Sequence, residues 1–159
     1  MAISAYRRDV PPDEWPVPQP AWLRPGTLDR GELMERIRVL VAEDAPSVRR
    51  ALAALFAAEP GVELVGSAED AVEAIELARR SHPDLAIVDA KMPGGGGPRA
   101  VREILLHSPD TVVVALSAHA DQTSVLQMLE AGAVDYIVKG TPASRLLSAI
   151  DRCRSHLRV

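Results

Sequence analysis

From Ile37 onward, short apolar runs alternate with longer amphipathic stretches. The runs are Ile37–Ala42, Val62–Gly66, Leu85–Val88, Val112–Leu116 and Tyr136–Val138. Three of them, Val39-Leu40-Val41, Ile87-Val88 and Val112-Val113-Val114, show no polar alternation. A strand that is apolar on both faces belongs in a parallel sheet covered on both sides. The stretches between are long enough for crossover helices. Their apolar positions fall at helical spacing: Val48, Leu52, Leu55 and Phe56, then Val72, Ile75 and Ala78, then Val101, Ile104 and Leu105. The last series is the clearest, with Leu146, Ile150, Cys153 and Leu157 spaced four, three and four apart.

Punctuation agrees with this reading. Pro46, Pro98 and Pro142 stand where helices would start, where a missing N–H costs nothing. Thr141 precedes Pro142 as a candidate N-cap. Pro60-Gly61, His82-Pro83 and Ser108-Pro109 sit where helices should stop, and Gly132 suits a C-terminal cap. The pattern predicts an α/β doubly wound sandwich of five strands and five helices in strict alternation. Right-handed crossovers and analogy with flavodoxin-like sheets give the strand order 2-1-3-4-5.

Residues 1–35 read differently. Six prolines lie between Pro11 and Pro25, with Trp15 and Trp22 among them, which excludes a long helix there. We take 1–35 as an N-terminal extension and 36–159 as the folded domain. Either the extension is a flexible tail, or Trp15 and Trp22 dock on this domain or a partner, since two exposed indoles would be unusual. Aromatics are only 3% of the chain, so the core must be aliphatic. The formal charge of −4 argues against direct nucleic-acid binding. A single cysteine, Cys153, excludes an internal disulfide framework. No apolar run is long enough to cross a bilayer and none has signal-peptide character, so a cytoplasmic protein without a membrane segment is expected.

Ligands of parallel sheets bind outside the carboxyl ends of the strands. Glu43 and Asp44 follow the first run, Asp89 and then Lys91 the third, Ser117 the fourth and Lys139 the fifth. Three carboxylates, a hydroxyl and an ammonium therefore converge on one rim. The carboxylates would repel one another without a cation, and Mg2+ takes such hard oxygen ligands while keeping several waters. Lys139 can neutralise a phosphoryl oxygen, Ser117 can donate to another, and Asp89 can act as nucleophile to give an acyl phosphate.

Glu43-Asp44, Asp89 with Met92-Pro93, Ser117-Ala118 and Tyr136 with Lys139 resemble the receiver domains of bacterial two-component response regulators. The resemblance runs from Ile37 to Leu157, about three quarters of the chain, and Gly132-Ala133-Val134-Asp135-Tyr136 is similar to the LuxR/NarL type. It implies Asp89 as phosphoacceptor, Ser117 and Lys139 as its catalytic partners, and Ser117 with Tyr136 as the switch pair. It implies Mg2+ held by Glu43, Asp44, Asp89 and the backbone carbonyl of Lys91, one of the acidic pair ligating directly and the other able to act through water. The implied phosphodonor is a sensor histidine kinase or phosphotransfer protein, with no enzymatic activity beyond self-catalysed phosphotransfer and slow autodephosphorylation. In that family the residues two beyond the acceptor and two beyond the hydroxyl influence phosphoryl lifetime; here they are Lys91 and His119.

The implied output is the face of helix 4, strand 5 and helix 5, at 122–131, 135–139 and 143–157. There Arg145, Arg152 and Arg154 stand against Asp121, Glu130, Asp135 and Asp151, charges that could pair across a homodimer. No DNA-reading helix-turn-helix follows, so the chain is expected to be a stand-alone receiver with an output partner, or one separated from a C-terminal effector domain. Two departures stand out. Gly140, not proline, follows Lys139, and Gly94–Gly97 makes the loop after Asp89 potentially mobile. A haloacid-dehalogenase-type phosphohydrolase would need an acid where Lys91 stands, and a flavin phosphate would be repelled by Glu43-Asp44. The remaining alternative is a phosphorylation-independent binding module.

Overall fold

The computed structural model describes residues 36–118 and 121–157, with only the backbone for 156 and 157. Trp15, Trp22, the 1–35 extension, His119 and the Leu157 side chain lie outside the described residues. Five strands and five helices alternate: β1 (Ile37–Ala42), α1 (Pro46–Ala58), β2 (Val62–Ala68), α2 (Ala71–Ser81), β3 (Leu85–Asp89), α3 (Gly96–His107), β4 (Val112–Ser117), α4 (Gln122–Ala131), β5 (Asp135–Val138) and α5 (Ala143–Leu157). The sheet is parallel in the order β2-β1-β3-β4-β5, as expected.

The two-residue period of the strands sorts the core into two layers. Leu40, Ala86, Val88, Val113 and Ala115 point to one face, where Ala74 and Ala78 of α2, Ala100, Val101 and Ile104 of α3, and Met128 of α4 cover them. Val39, Val41, Leu85, Ile87, Val114 and Leu116 point to the other, under Leu52 and Phe56 of α1 and Leu146, Ile150 and Cys153 of α5. Burial on both faces is why these strands carry no polar alternation. Burial pushes the Cys153 thiol up to about 11, with Asp84 adding to the shift.

Two local expectations need correction. Helical spacing puts Val72 on the apolar face of α2, yet it is 56% exposed, because Ala71, Ala74, Ile75 and Ala78 make the buried stripe. The sequence offers Thr141 as an N-cap, but α5 begins at Ala143, so Pro142 occupies the cap position. Pro46 does open α1, and Gly132 ends α4 with φ +126°.

On the outer edge of the sheet, Arg152 of α5 reaches Asp135 of β5 at 2.7 Å. Burial alone would raise the Asp135 pKa, but the hydrogen bonds from Arg152 and the Tyr136 N–H, with the charges of Arg152 and Arg145, together outweigh it and hold the carboxyl below its usual value. The pair therefore contributes stability above the carboxylate range and loses it as pH falls through that range. Asp135→Asn is expected to cost about 0.5 kcal/mol at neutral pH, because Arg152 is solvent-screened. In urea titrations the gap from the parent should close on acidification; a gap that widens would contradict the assignment.

Candidate functional site

Parallel pairing places every carboxyl end on one rim, and the backbone ladder continues past the strands to fix the loops there. Glu43 N–H donates to Ala68 O at 3.0 Å, Ala90 N–H to Leu116 O at 2.9 Å and Lys139 N–H to Ser117 O at 2.7 Å. Glu43, Asp89, Ser117 and Lys139 are thereby brought together by β1, β3, β4 and β5. Glu43 is fully buried, while Asp89 and Ser117 are 3% and 5% exposed.

Lys139 Nζ lies 3.0 Å from Asp89 Oδ2 and 2.8 Å from Glu43 Oε2, and it donates to Glu43 Oε1 at 3.0 Å. Glu43 Oε1 also accepts from Ala45 N–H at 3.0 Å. Glu43 Oε2 is buried with no aligned hydrogen bond, although the ammonium beside it supplies charge. Glu43, Asp44 and Asp89 each offer a carboxylate oxygen, and the three lie within 4.8 Å of one another. One ammonium against three carboxylates leaves the cluster short of positive charge. Three hard oxygen donors and a buried oxygen lacking a donor fit a hard divalent cation such as Mg2+.

The same imbalance appears in the proton affinities. Burial and the Glu43 charge push Asp89 up to about 7, against the hydrogen bond from Lys139. Asp44 moves the other way: burial opposes the shift, but hydrogen bonding with Asp89 and Glu43 and the Lys139 charge hold it below the usual carboxylate value. Lys139 is held above its usual value, since its carboxylate partners outweigh its burial.

A cleft of about 210 Å3 opens over Asp89, lined also by Asp44, Lys91, Ser117 and Lys139. Lys91 lines the cleft, and its N–H donates to Asp89 Oδ1 at 3.3 Å. Tyr136 is half-buried against the α2–α4 side of the core, three residues before Lys139. Asp121 and Ser124 also line the cleft and were not foreseen. Asp121 caps α4, accepting from Thr123 N–H at 3.2 Å and Ser124 Oγ at 2.7 Å. An Asp four places beyond a strand-end hydroxyl, just before a helical stretch, was the available signal. Arg49 was missed as well; its guanidinium donates to the carbonyls of Glu43 and Asp44.

The glycine run is more specific than a mobile loop. Gly94, Gly95 and Gly96 have φ of +85°, +105° and +85°, where side chains are strained. Gly97 packs directly on the backbone of Asp89 and Ala90, leaving no room for a Cβ. The opposed charges of the outer face are partly used within the chain, Arg152 with Asp135 and Arg154 with Asp151 at 4.0 Å. Among the described residues, no helix is long and apolar enough to cross a membrane.

Residues 39–151 match the model of the response regulator receiver domain. The chain is 37% identical over 114 residues to the response regulator GacA of Pseudomonas viridiflava, covering 72% of this chain and 53% of the relative. It thus spans about half the length of the curated relatives it matches. The signal receiver domain of a response regulator, NarL, from Mycobacterium tuberculosis superposes with a TM-score of 0.71 at 30% identity, over 76% of this chain and 98% of that one. The receiver domain of a Pseudomonas aeruginosa sensor histidine kinase, with magnesium coordinated in its active site cleft, superposes at 0.68 with 26% identity, over 76% and 98%.

Proposed function

Because the chain belongs to the receiver-domain family of two-component response regulators, we propose that it is a phosphorylation-dependent switch whose phosphoryl group is carried by Asp89. The observation that carries this reading is the position of Asp89, at the end of β3 and 3.0 Å from the Lys139 ammonium, with Glu43, Asp44 and Ser117 around it.

In the proposed reaction a carboxylate oxygen of Asp89 attacks the phosphorus of a phosphohistidine. The P–N bond of the donor breaks and an O–P bond forms, leaving an aspartyl phosphate and a neutral imidazole once a proton is taken up. Lys139 sits where it can neutralise a phosphoryl oxygen, and the Ser117 hydroxyl lines the cleft where another would lie. Glu43, Asp44, Asp89 and the Lys91 carbonyl would hold Mg2+, in keeping with the magnesium in the cleft of the similar kinase receiver domain. The bound ion would supply the positive charge that keeps Asp89 ionised and draws in phosphoryl oxygens.

The donor would be a histidine kinase or a phosphotransfer protein. The signal would leave through α4, β5 and α5, where Tyr136 packs beside the Ser117 strand in register with Ala115. Its receiver would be a partner, a second copy, or an effector domain. Intact mass after incubation with acetyl phosphate and Mg2+ tests the central step. One phosphoryl group on the parent and none on Asp89→Asn is the expected result. No addition to the parent, with Mg2+ binding verified separately, would leave a phosphorylation-independent binding module.

A further inference from the structure

We propose that Arg49 is a positioning residue for the divalent-cation site, acting on the acidic turn through its backbone and not on the ion itself. The turn Glu43–Ala45 joins β1 to α1, and it carries two of the three candidate cation ligands. Its local support is thin. The N-cap of α1 is Ala45, which has no side-chain cap, and Pro46 follows it. The Glu43 carboxylate is itself drawn into the turn, accepting from Ala45 N–H.

Arg49, in the first turn of α1, supplies what the caps do not. Its Nη1 donates to Glu43 O at 2.9 Å and to Asp44 O at 3.3 Å, and its Nη2 lies 3.9 Å from Glu69 Oε2 in the loop after β2. One guanidinium therefore holds two successive carbonyls, which fixes both peptide planes on either side of Asp44. The orientation of those planes sets where the Asp44 Cα–Cβ bond points. Asp44 is exposed and lines the cleft, so apart from the neighbouring Glu43 and Asp89 carboxyls it is the turn backbone that aims its side chain. The Arg49 side chain is itself only 19% exposed. A lysine could carry the charge, but its ammonium ends one atom short of the Nη1 position that bonds both carbonyls.

Partners that orient metal ligands typically change affinity by ten- to a hundredfold when removed. Arg49→Met is expected to weaken Mg2+ binding, measured by isothermal titration on the full chain, by about tenfold. The Mg2+ concentration giving half-maximal phosphorylation should rise by the same factor, with the rate at saturating Mg2+ largely recovered. A residue that merely stabilised the fold would move the unfolding midpoint and leave both Mg2+ readouts in place. Arg49→Lys is the milder variant and decides the matter if Arg49→Met does not fold; it should bind Mg2+ severalfold more weakly than the parent. Parent-like affinity in Arg49→Lys overturns the proposal, as does parent-like affinity in a folded Arg49→Met. The inference rests on the reading of Glu43, Asp44 and Asp89 as the cation ligands. Asp44→Asn, titrated in parallel, separates the two: if it also binds Mg2+ like the parent, the ligand assignment has failed, and if it alone loses binding, only the role of Arg49 has.

Discussion

Lys139→Ala should lower the stability of the cation-free protein by about 3 kcal/mol, the scale set by breaking a buried ion pair from one side. Among the described residues the ammonium is the single cation paired with the Glu43 and Asp89 carboxylates, at 2.8 and 3.0 Å. Their side chains are 0% and 4% exposed, and water entering from the cleft is a weak substitute for the charge. Removing it leaves buried negative charge facing buried negative charge. Urea unfolding in EDTA should show the loss, and millimolar Mg2+ should restore much of it, because a cation that binds only the folded cluster stabilises it by mass action. Pairing Lys139→Met with Glu43→Gln should cost less than the two changes summed, since the charge left behind is then gone. An unfolding midpoint that does not move in EDTA would show that the ammonium carries no such burden.

Gly97→Ala should be nearly as costly, again about 3 kcal/mol, for a reason of space and not of charge. A Cβ built on Gly97 would strike the Asp89 carbonyl oxygen, and it would stand 2.7 Å from Ala90 Cα and 2.8 Å from Ala90 O. All three obstacles are backbone, so no rotamer change can relieve them. Either α3 must lift away from the sheet or the end of β3 must move, and the Gly97 N–H to Ala90 O hydrogen bond of 3.1 Å would be stretched in both cases. Because the strand end carries Asp89, acetyl phosphate should label the variant more slowly than the parent. Gly96→Ala is the comparison. There the obstacle is φ +85°, with Pro98 Cδ a comfortable 3.7 Å away. That variant should lose about 1 kcal/mol of stability and keep its labelling rate. Equal labelling rates in the two would mean that the contact at Gly97 does not govern the placement of Asp89.

The rim of the site was legible because its residues are punctuated by the pattern itself. Glu43, Asp89, Ser117 and Lys139 each end or follow an apolar run, so alternation alone aligned them. Alanine was the weak point of that pattern. In α2, Ala71, Ala74 and Ala78 are buried while Val72 is not, and a small side chain gives no preference strong enough to reveal this. The glycine run offered no side chain to read at all, and the tightness at Gly97 exists only once α3 lies on β3. Arg152 looked free to pair with a second copy until the sheet order set α5 beside β5. Arg49 acts on carbonyls, which every residue has, so no spacing of side chains could announce it. Asp121 and Ser124 enter the cleft at the N-terminal end of α4, whose placement no spacing along the sequence sets.

The buried thiol of Cys153 gives this protein a reporter that needs no engineering. It is the chain's single cysteine, 2% exposed, with its proton held to about pH 11, on the inner face of α5. Although Cys153 borders a cavity of about 240 Å3, its burial makes alkylation fastest when that helix lifts from the sheet, so the rate of modification rises with openings of α5 much as amide exchange rises with openings of a backbone. Comparing that rate in the resting and acyl-phosphate forms would read directly how far, and how often, events at Asp89 loosen a helix on the opposite side of the strand ends.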